Sequence, residues 1–222
     1  MEGSFIFEID TIKRLLEGIF ITLYISVISI LFSIFCGLAM GFTMAFGSSW
    51  IRFICRFYLE SIRIIPILAW LFIVYFGFST FSGLHINGQI ASIIVFSLWG
   101  TAEMGDLTRG ALTSIPKHQS QSAKALGLND LLIAVFVIFP QAIVRLLPAS
   151  INLFTRIIKT TSLVALIGVV DLLKVGQQII EVNILRIPDA SFWVYGTIFA
   201  IYFFLCYPLS VLSAKLELKY QY

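Results

Sequence analysis

Of 222 residues, 59% are hydrophobic and only 12% are charged, with a formal net charge of +3 and a mean hydropathy of +0.97. Soluble domains are about 25% charged, and a globule of this length lacks the interior to hide so much apolar surface. A soluble enzyme, a disordered chain and a disulfide scaffold are excluded, and a mild charge without basic blocks speaks against a nucleic-acid partner.

What remains is an all-α polytopic protein of the lipid bilayer. Its first 18 residues mix Glu2, Glu8, Asp10 and Glu17 with Lys13 and Arg14, unlike the basic start of a cleavable leader. A crossing helix needs about 20 apolar residues. The uncharged run from Gly18 to Ile51 predicts a first span at 19–46, ending at Gly47-Ser48-Ser49. A second span is expected at 57–78, with Glu60, Arg63 and Pro66 in its first half, and a third at 89–112, containing Glu103 and Asp106. Residues 115–127 are too polar to cross. Ser114 as N-cap, Pro116 near the first turn and Gly127 as terminator predict a short surface helix there. Asn129-Asp130 opens a fourth span at 131–158, broken by Pro140 and Pro148 and carrying Arg145, Asn152 and Arg156. Thr161–Val170 is half a span, its Thr161-Ser162 start reading as an outer gate or scaffold. Lys174–Asp189 is polar again, and 190–214 is the fifth span. The whole chain, 1–222, reads as one domain.

Five spans put the termini on opposite sides. With the N-terminus outside, inner segments hold Arg52, Arg56, Arg63, Arg109, Lys117, Lys124, Lys215 and Lys219, against Lys13, Arg14, Lys174 and Arg186 outside. The positive-inside rule then predicts N-out, C-in, with 115–127 in the cytoplasm and Glu8, Asp10, Asp171, Glu181 and Asp189 on the outer face. Cys36, Cys55 and Cys206 read as small hydrophobes. Two distant histidines, His85 and His118, make no metal site, and no catalytic constellation is present.

The run Gly110-Ala-Leu-Thr-Ser-Ile-Pro-Lys-His-Gln-Ser-Gln-Ser-Ala-Lys-Ala-Leu-Gly-Leu, with Val137-Ile-Phe-Pro140 after it, resembles the EAA loop of ABC importer permeases, closest to the polar amino-acid type that carries histidine, glutamine and glutamate. Gln121-Ser122-Ala123 stands where the family has Glu-Ala-Ala, and Gly127 and Pro140 fall at the family spacing. Tyr58-Leu-Glu-Ser-Ile-Arg-Ile-Ile-Pro66 and Lys159-Thr-Thr-Ser-Leu-Val164 resemble further family stretches, and the likeness covers about residues 18–214. The resemblance implies a type I importer permease of the bacterial cytoplasmic (inner) membrane. Its coupling helix, with Ile115, Lys117, Gln121, Ser122, Ala123 and Gly127, would dock on a separate cytoplasmic ABC ATPase. It also implies a second permease subunit, identical or homologous, and an extracytoplasmic substrate-binding protein. The chain has no G-x-x-x-x-G-K-[ST] loop, so no cofactor is expected on it, and ATP belongs to the partner.

A charge at mid-membrane costs at least about 2.5–3.5 kcal/mol, so it faces helices or water and is a functional candidate. Asp106 and Arg109 are expected as an i,i+3 pair near the inner interface. Glu103 on the third span, with Asn152 and Arg156 on the fourth, are candidates to hold the ammonium and carboxylate of an amino acid. The competing expectation pairs Glu103 with Arg156, Arg145 or a second subunit. Pro66, Pro140, Arg145, Thr161 and Ser162, with Asp106 and Arg109, are assigned structural or gating roles. A proton-coupled secondary transporter using Glu103 and Asp106 is the alternative in another transport class. It predicts an inverted repeat, which the sequence does not show.

Overall fold

The computed structural model describes residue 6, residues 8–83 and residues 85–220. In chain order its helices are α1 (Ile9–Phe46), α2 (Ser49–Ile64), α3 (Ile67–Phe72), α4 (Phe78–Ser82), α5 (Gly88–Thr113), α6 (Lys117–Ala125), α7 (Asp130–Ile133), α8 (Phe139–Thr160), α9 (Leu172–Asn183) and α10 (Ala190–Tyr220). Wider π-helical turns at Ile73–Gly77 and Ala134–Ile138 join α3 to α4 and α7 to α8, and a 3-10 helix, Thr161–Ile167, continues α8. No strand occurs among the described residues. Among the described residues, four stretches are long and apolar enough to cross a membrane, Ile9–Phe46, Gly88–Thr113, Asp130–Ile167 and Ala190–Lys219. A fifth, Ser49–Ile64 with Ile67–Gly77, is interrupted at Ile65 and Pro66.

The third and fifth spans begin within one residue of expectation, and three features differ. The first span starts at Ile9, not at 19, because its charged first turns are helical beyond the apolar run; there Arg14 Nη2 donates to Gln178 Oε1 at 2.7 Å. The second is not one helix over 57–78. Helix α2 starts at Ser49, and the chain breaks at Ile65, whose backbone is extended (φ −83°, ψ 127°). Pro66 imposes this, since its ring disfavours α-geometry in the residue before it and it has no N–H to donate. The fourth span is not broken by its prolines. Pro140 is the second residue after the π-helical turn, whose wider winding makes room for a ring that would clash with the carbonyl four residues back. Pro148 lies inside an uninterrupted α8.

Helix α1 is inside-out relative to a soluble helix. Thr22, Ser26, Ser29 and Ser33 are fully buried, while Phe20, Tyr24, Val27, Leu31, Phe35 and Phe42 are exposed. With apolar lipid outside, small residues that permit close helix approach make the better inner face.

The described residues form two compact units. One comprises residues up to Ser29, Pro66–Phe96 and Thr155–Pro208. Its core gathers Leu15, Leu172, Val175, Ile179, Ile180, Ala190, Val194 and Ile198. There α9 approaches α1 so closely that a Cβ on Gly18 would lie 2.9 Å from the Leu172 Cα, and Thr22 Oγ1 accepts the Leu172 N–H at 3.2 Å. The other comprises Ile30–Ile65, Ser97–Phe154 and residues from Leu209 onward. In it, Gly37 and Gly41 of α1 lie against Met104, Gly105 and Thr108 of α5, with no room for a Cβ at either glycine. Ser213 Oγ on α10 donates to the Pro148 carbonyl at 2.8 Å.

Candidate coupling and translocation residues

The polar segment between the third and fourth spans forms a helix of nine residues, Lys117–Ala125, with Pro116 at its N-cap position. Ser114 is not the cap. Its hydroxyl donates to Ala111 O at 2.8 Å, finishing α5, and Arg145 Nη1 on α8 donates to both Ser114 O (2.8 Å) and Ser114 Oγ (2.9 Å). Arg145 thus ties the fourth span to the chain that feeds α6. At the other end, Gly127 adopts φ +82°, a left-handed conformation in which glycine carries no Cβ penalty. The Gly127 N–H bonds Lys124 O at 2.9 Å and the Leu128 N–H bonds Ala123 O at 3.2 Å, the paired closure of a Schellman motif. Asn129 then caps α7, its Oδ1 accepting the Leu132 N–H at 2.9 Å. Lys124 Nζ and Asp130 Oδ1 close an exposed ion pair at 2.8 Å, of little energetic weight there. The six candidate coupling residues divide. Ile115 and Ala123 are buried and seat the helix, whereas Lys117, Gln121, Ser122 and Gly127 are exposed.

The charges of the second and third spans converge. Arg63 Nε donates to Glu103 Oε1 at 2.8 Å and Arg63 Nη2 to Asp106 Oδ2 at 2.8 Å. Asp106 Oδ1 also accepts from Arg109 Nη2 at 2.7 Å and Nε at 3.1 Å, so the i,i+3 pair is present as expected. Two carboxylates and two guanidinium groups neutralise one another, which offsets the cost of placing any of them in hydrocarbon. Arg63 as the holder of Glu103 is a partner that the linear reading did not name. The two are 40 positions apart, and the available signal was that Arg63, like Glu60, is a charge set in an apolar span. Nearby, the Tyr58 hydroxyl donates to Leu98 O at 2.6 Å, a third bond between α2 and α5.

Asn152 and Arg156 are exposed, one turn apart on α8, where i,i+4 residues share a face. Pro66 marks the break between α2 and α3. Thr161 and Ser162 donate to the carbonyls of Ile158 (2.7 Å) and Lys159 (2.9 Å), and Thr161 is fully buried. The segment they open is a 3-10 continuation of the fourth span.

Asp171, read from the sequence as an outer-face acid, is completely buried. It is the N-cap of α9, with Oδ1 accepting the Lys174 N–H at 2.9 Å, while Oδ2 has no hydrogen-bond partner among the described residues. Burial pushes its carboxyl up from 3.8 to about 6, against the opposing pull of backbone N–H donors. The cap explains the placement: α9 has orphan amides that a short acceptor must meet.

Residues 29–217 match the family described as "Binding-protein-dependent transport system inner membrane component". The glutamine transport system permease protein GlnP of Escherichia coli (strain K12) is 31% identical over 207 residues, covering 93% of this chain and 92% of its own length. The probable amino-acid ABC transporter permease protein YckA of Bacillus subtilis (strain 168) is 33% identical over 166 residues, 75% of this chain and 73% of its own. Among solved structures, the crystal structure of an amino acid ABC transporter with histidines aligns with a TM-score of 0.85 at 26% identity, over 95% of this chain and 96% of that one. The inward-facing MetNI methionine ABC transporter shares the fold, with a TM-score of 0.75 at 18% identity over 94% and 97% of the two chains. The all-helical architecture, the polar helix between two spans and these matches agree: the chain belongs to the family of binding-protein-dependent transport system inner membrane components.

Proposed function

We propose that this chain is the pathway-forming subunit of an ATP-driven importer of polar amino acids, moved by a separate cytoplasmic ABC ATPase through α6. The observation that carries this reading is the build of α6. It is a polar helix seated by Ile115 and Ala123, closed at Gly127, and presenting Lys117, Gln121 and Ser122 outward. A nine-residue polar helix tied at both ends to membrane helices suits the transmission of a push. The sequence has no phosphate-binding loop of its own, so energy would arrive by contact and ATP would be held by the partner.

On this reading the N-terminus is outside and the C-terminus cytoplasmic, and two permease subunits, alike or homologous, frame the path. An extracytoplasmic binding protein delivers the amino acid. Glu103, Asn152 and Arg156 are the proposed substrate contacts, Glu103 for an ammonium and the α8 pair for a carboxylate. Because Glu103 and Asp106 already hold Arg63, an incoming ammonium would compete with a guanidinium for Glu103, which gives a means of linking occupancy to the position of α2. The same ion pairs weigh against a proton relay through Glu103 and Asp106, since a proton would first have to break them.

The test is a cysteine at Lys117 or Gln121 in cells carrying the whole transport system. A short crosslinker should join the permease to an ATPase subunit, and accumulation of labelled amino acid should stop when ATP hydrolysis is blocked. Accumulation that persists without the ATPase would overturn the proposal.

A further inference from the structure

Helix α2 carries three stripes. At 100° per residue, Leu59 and Ile62 fall on one side and are buried. Trp50, Phe53, Ile54 and Phe57 form an exposed apolar side, with Trp50 at 78%. Between them stand Arg52, Arg56 and Arg63. Arg63 is neutralised by Glu103 and Asp106. Among the described residues the Arg52 side chain reaches only the Ser49 hydroxyl, at 3.4 Å. Arg56 makes no hydrogen bond or ion pair among the described residues, and Glu60, the acid one turn beyond it, forms no pair with it. Ser49, Arg52, Phe53 and Arg56 line a cavity of about 280 Å³.

Two uncompensated guanidinium groups one turn apart, with a hydroxyl beside them, offer several N–H donors and an O–H to a single tetrahedral anion. The exposed Phe53 and Phe57 lead away from that cavity along the helix, an apolar track for an acyl chain. We infer that Ser49, Arg52 and Arg56 bind the phosphate of an anionic phospholipid whose tail lies on Phe53 and Phe57. The two arginines select headgroup charge, since a net-negative headgroup gains from both and a zwitterionic one brings its own cation. A free phosphate would find the same donors but none of the apolar contact, so the site is committed to lipid.

The test uses the full chain, purified in mild detergent and equilibrated with equal amounts of phosphatidylglycerol and phosphatidylcholine, with retained lipids counted by native mass spectrometry. Wild type should retain phosphatidylglycerol roughly thirtyfold over phosphatidylcholine, about fivefold per arginine. The Arg52→Gln/Arg56→Gln variant should show no preference, and Arg52→Lys/Arg56→Lys should keep most of it. Quenching of Trp50 by spin-labelled phosphatidylglycerol, judged against a Trp50→Phe control, gives a second reading on the wild-type arginines should the glutamine variant fail to fold. The inference is overturned if wild type holds the two lipids equally or if the glutamine variant keeps the preference. It is also overturned if millimolar inorganic phosphate displaces the lipid. Disulfide dimers formed in native membranes by Trp50→Cys or Ile54→Cys would likewise overturn it, by giving the stripe to a second copy of the chain.

Discussion

Replacing Asp171 with Asn should make the protein more stable at neutral pH and remove a pH dependence. Asn keeps the acceptor oxygen that caps α9, and Asn and Asp are comparable N-caps, so the bond to the Lys174 N–H survives. What disappears is a carboxylate that is fully buried, with one oxygen unpaired. The carboxyl is raised in the fold from 3.8 to about 6, so between those values the folded chain binds more proton than the unfolded one. Stability from this group is fully present below about pH 4 and is lost as pH rises through about 6. At about 1.36 kcal/mol per pH unit, a rise from 3.8 to about 6 corresponds to about 3 kcal/mol at neutral pH. For a chain of this length that is an apparent Tm change on the order of 10 °C. The assay is thermal unfolding in detergent, followed by tryptophan fluorescence from pH 4 to pH 8, read as variant minus wild type so that other titrations cancel. The difference should grow from near zero at pH 4 to a plateau above pH 6.5. Asp171→Ala, which loses the cap at a cost of about 1 kcal/mol, should fall below Asn at every pH. A variant that is equally destabilised at all pH values, or a wild type that gains stability on this comparison as pH rises, would refute the account of Asp171 as a desolvated cap.

Three further outcomes follow from the geometry. Arg63→Gln should destabilise by about 2–3 kcal/mol, less than the 3–5 of a fully buried pair because the guanidinium is partly exposed. Adding Glu103→Gln should recover part of that loss, and denaturation midpoints of the singles and the double measure the coupling. Gly41→Val has no room beside Thr108 and the Gly105 carbonyl and should cost about 1–3 kcal/mol by overpacking, whereas Gly110→Ala, where a Cβ meets nothing within 4 Å, should cost nothing measurable by the same melt. Gly127→Ala forces a Cβ into φ +82° at about 1–2 kcal/mol; amide exchange at Leu128 and Leu132 should rise, and uptake should fall while expression holds.

Much of this architecture is visible along the chain because lipid imposes a one-dimensional rule: runs of apolar residues mark crossings, and Gly127 and Asn129 punctuate them with local chemistry. The i,i+3 pair of Asp106 and Arg109 is legible for the same reason, since three positions on a helix decide the contact. What escaped linear reading was decided elsewhere. Arg63 finds Glu103 from another helix, 40 positions away. Asp171 looks like any loop acid until α9 needs a cap in a buried place. Pro148 seems a helix breaker until an uninterrupted α8 carries it, and Gly37 with Gly41 reveals its purpose only once α5 lies against it. The candidate site divides the same way: the seating of α6 follows from nearby residues, whereas the charge cluster of α2 and α5 depends on three-dimensional packing.

Between α6 and α7 lie four residues, 126–129, and they are tied at both ends: the N–H groups of Leu126, Gly127 and Leu128 donate back into α6, and Asn129 accepts from the first turn of α7 through its side chain and its carbonyl. A joint tied in this manner has almost no backlash. Slack loops absorb motion as bending before they pass any on; a short, hydrogen-bonded elbow like this one would lose less of any displacement of α6 before it reached α7.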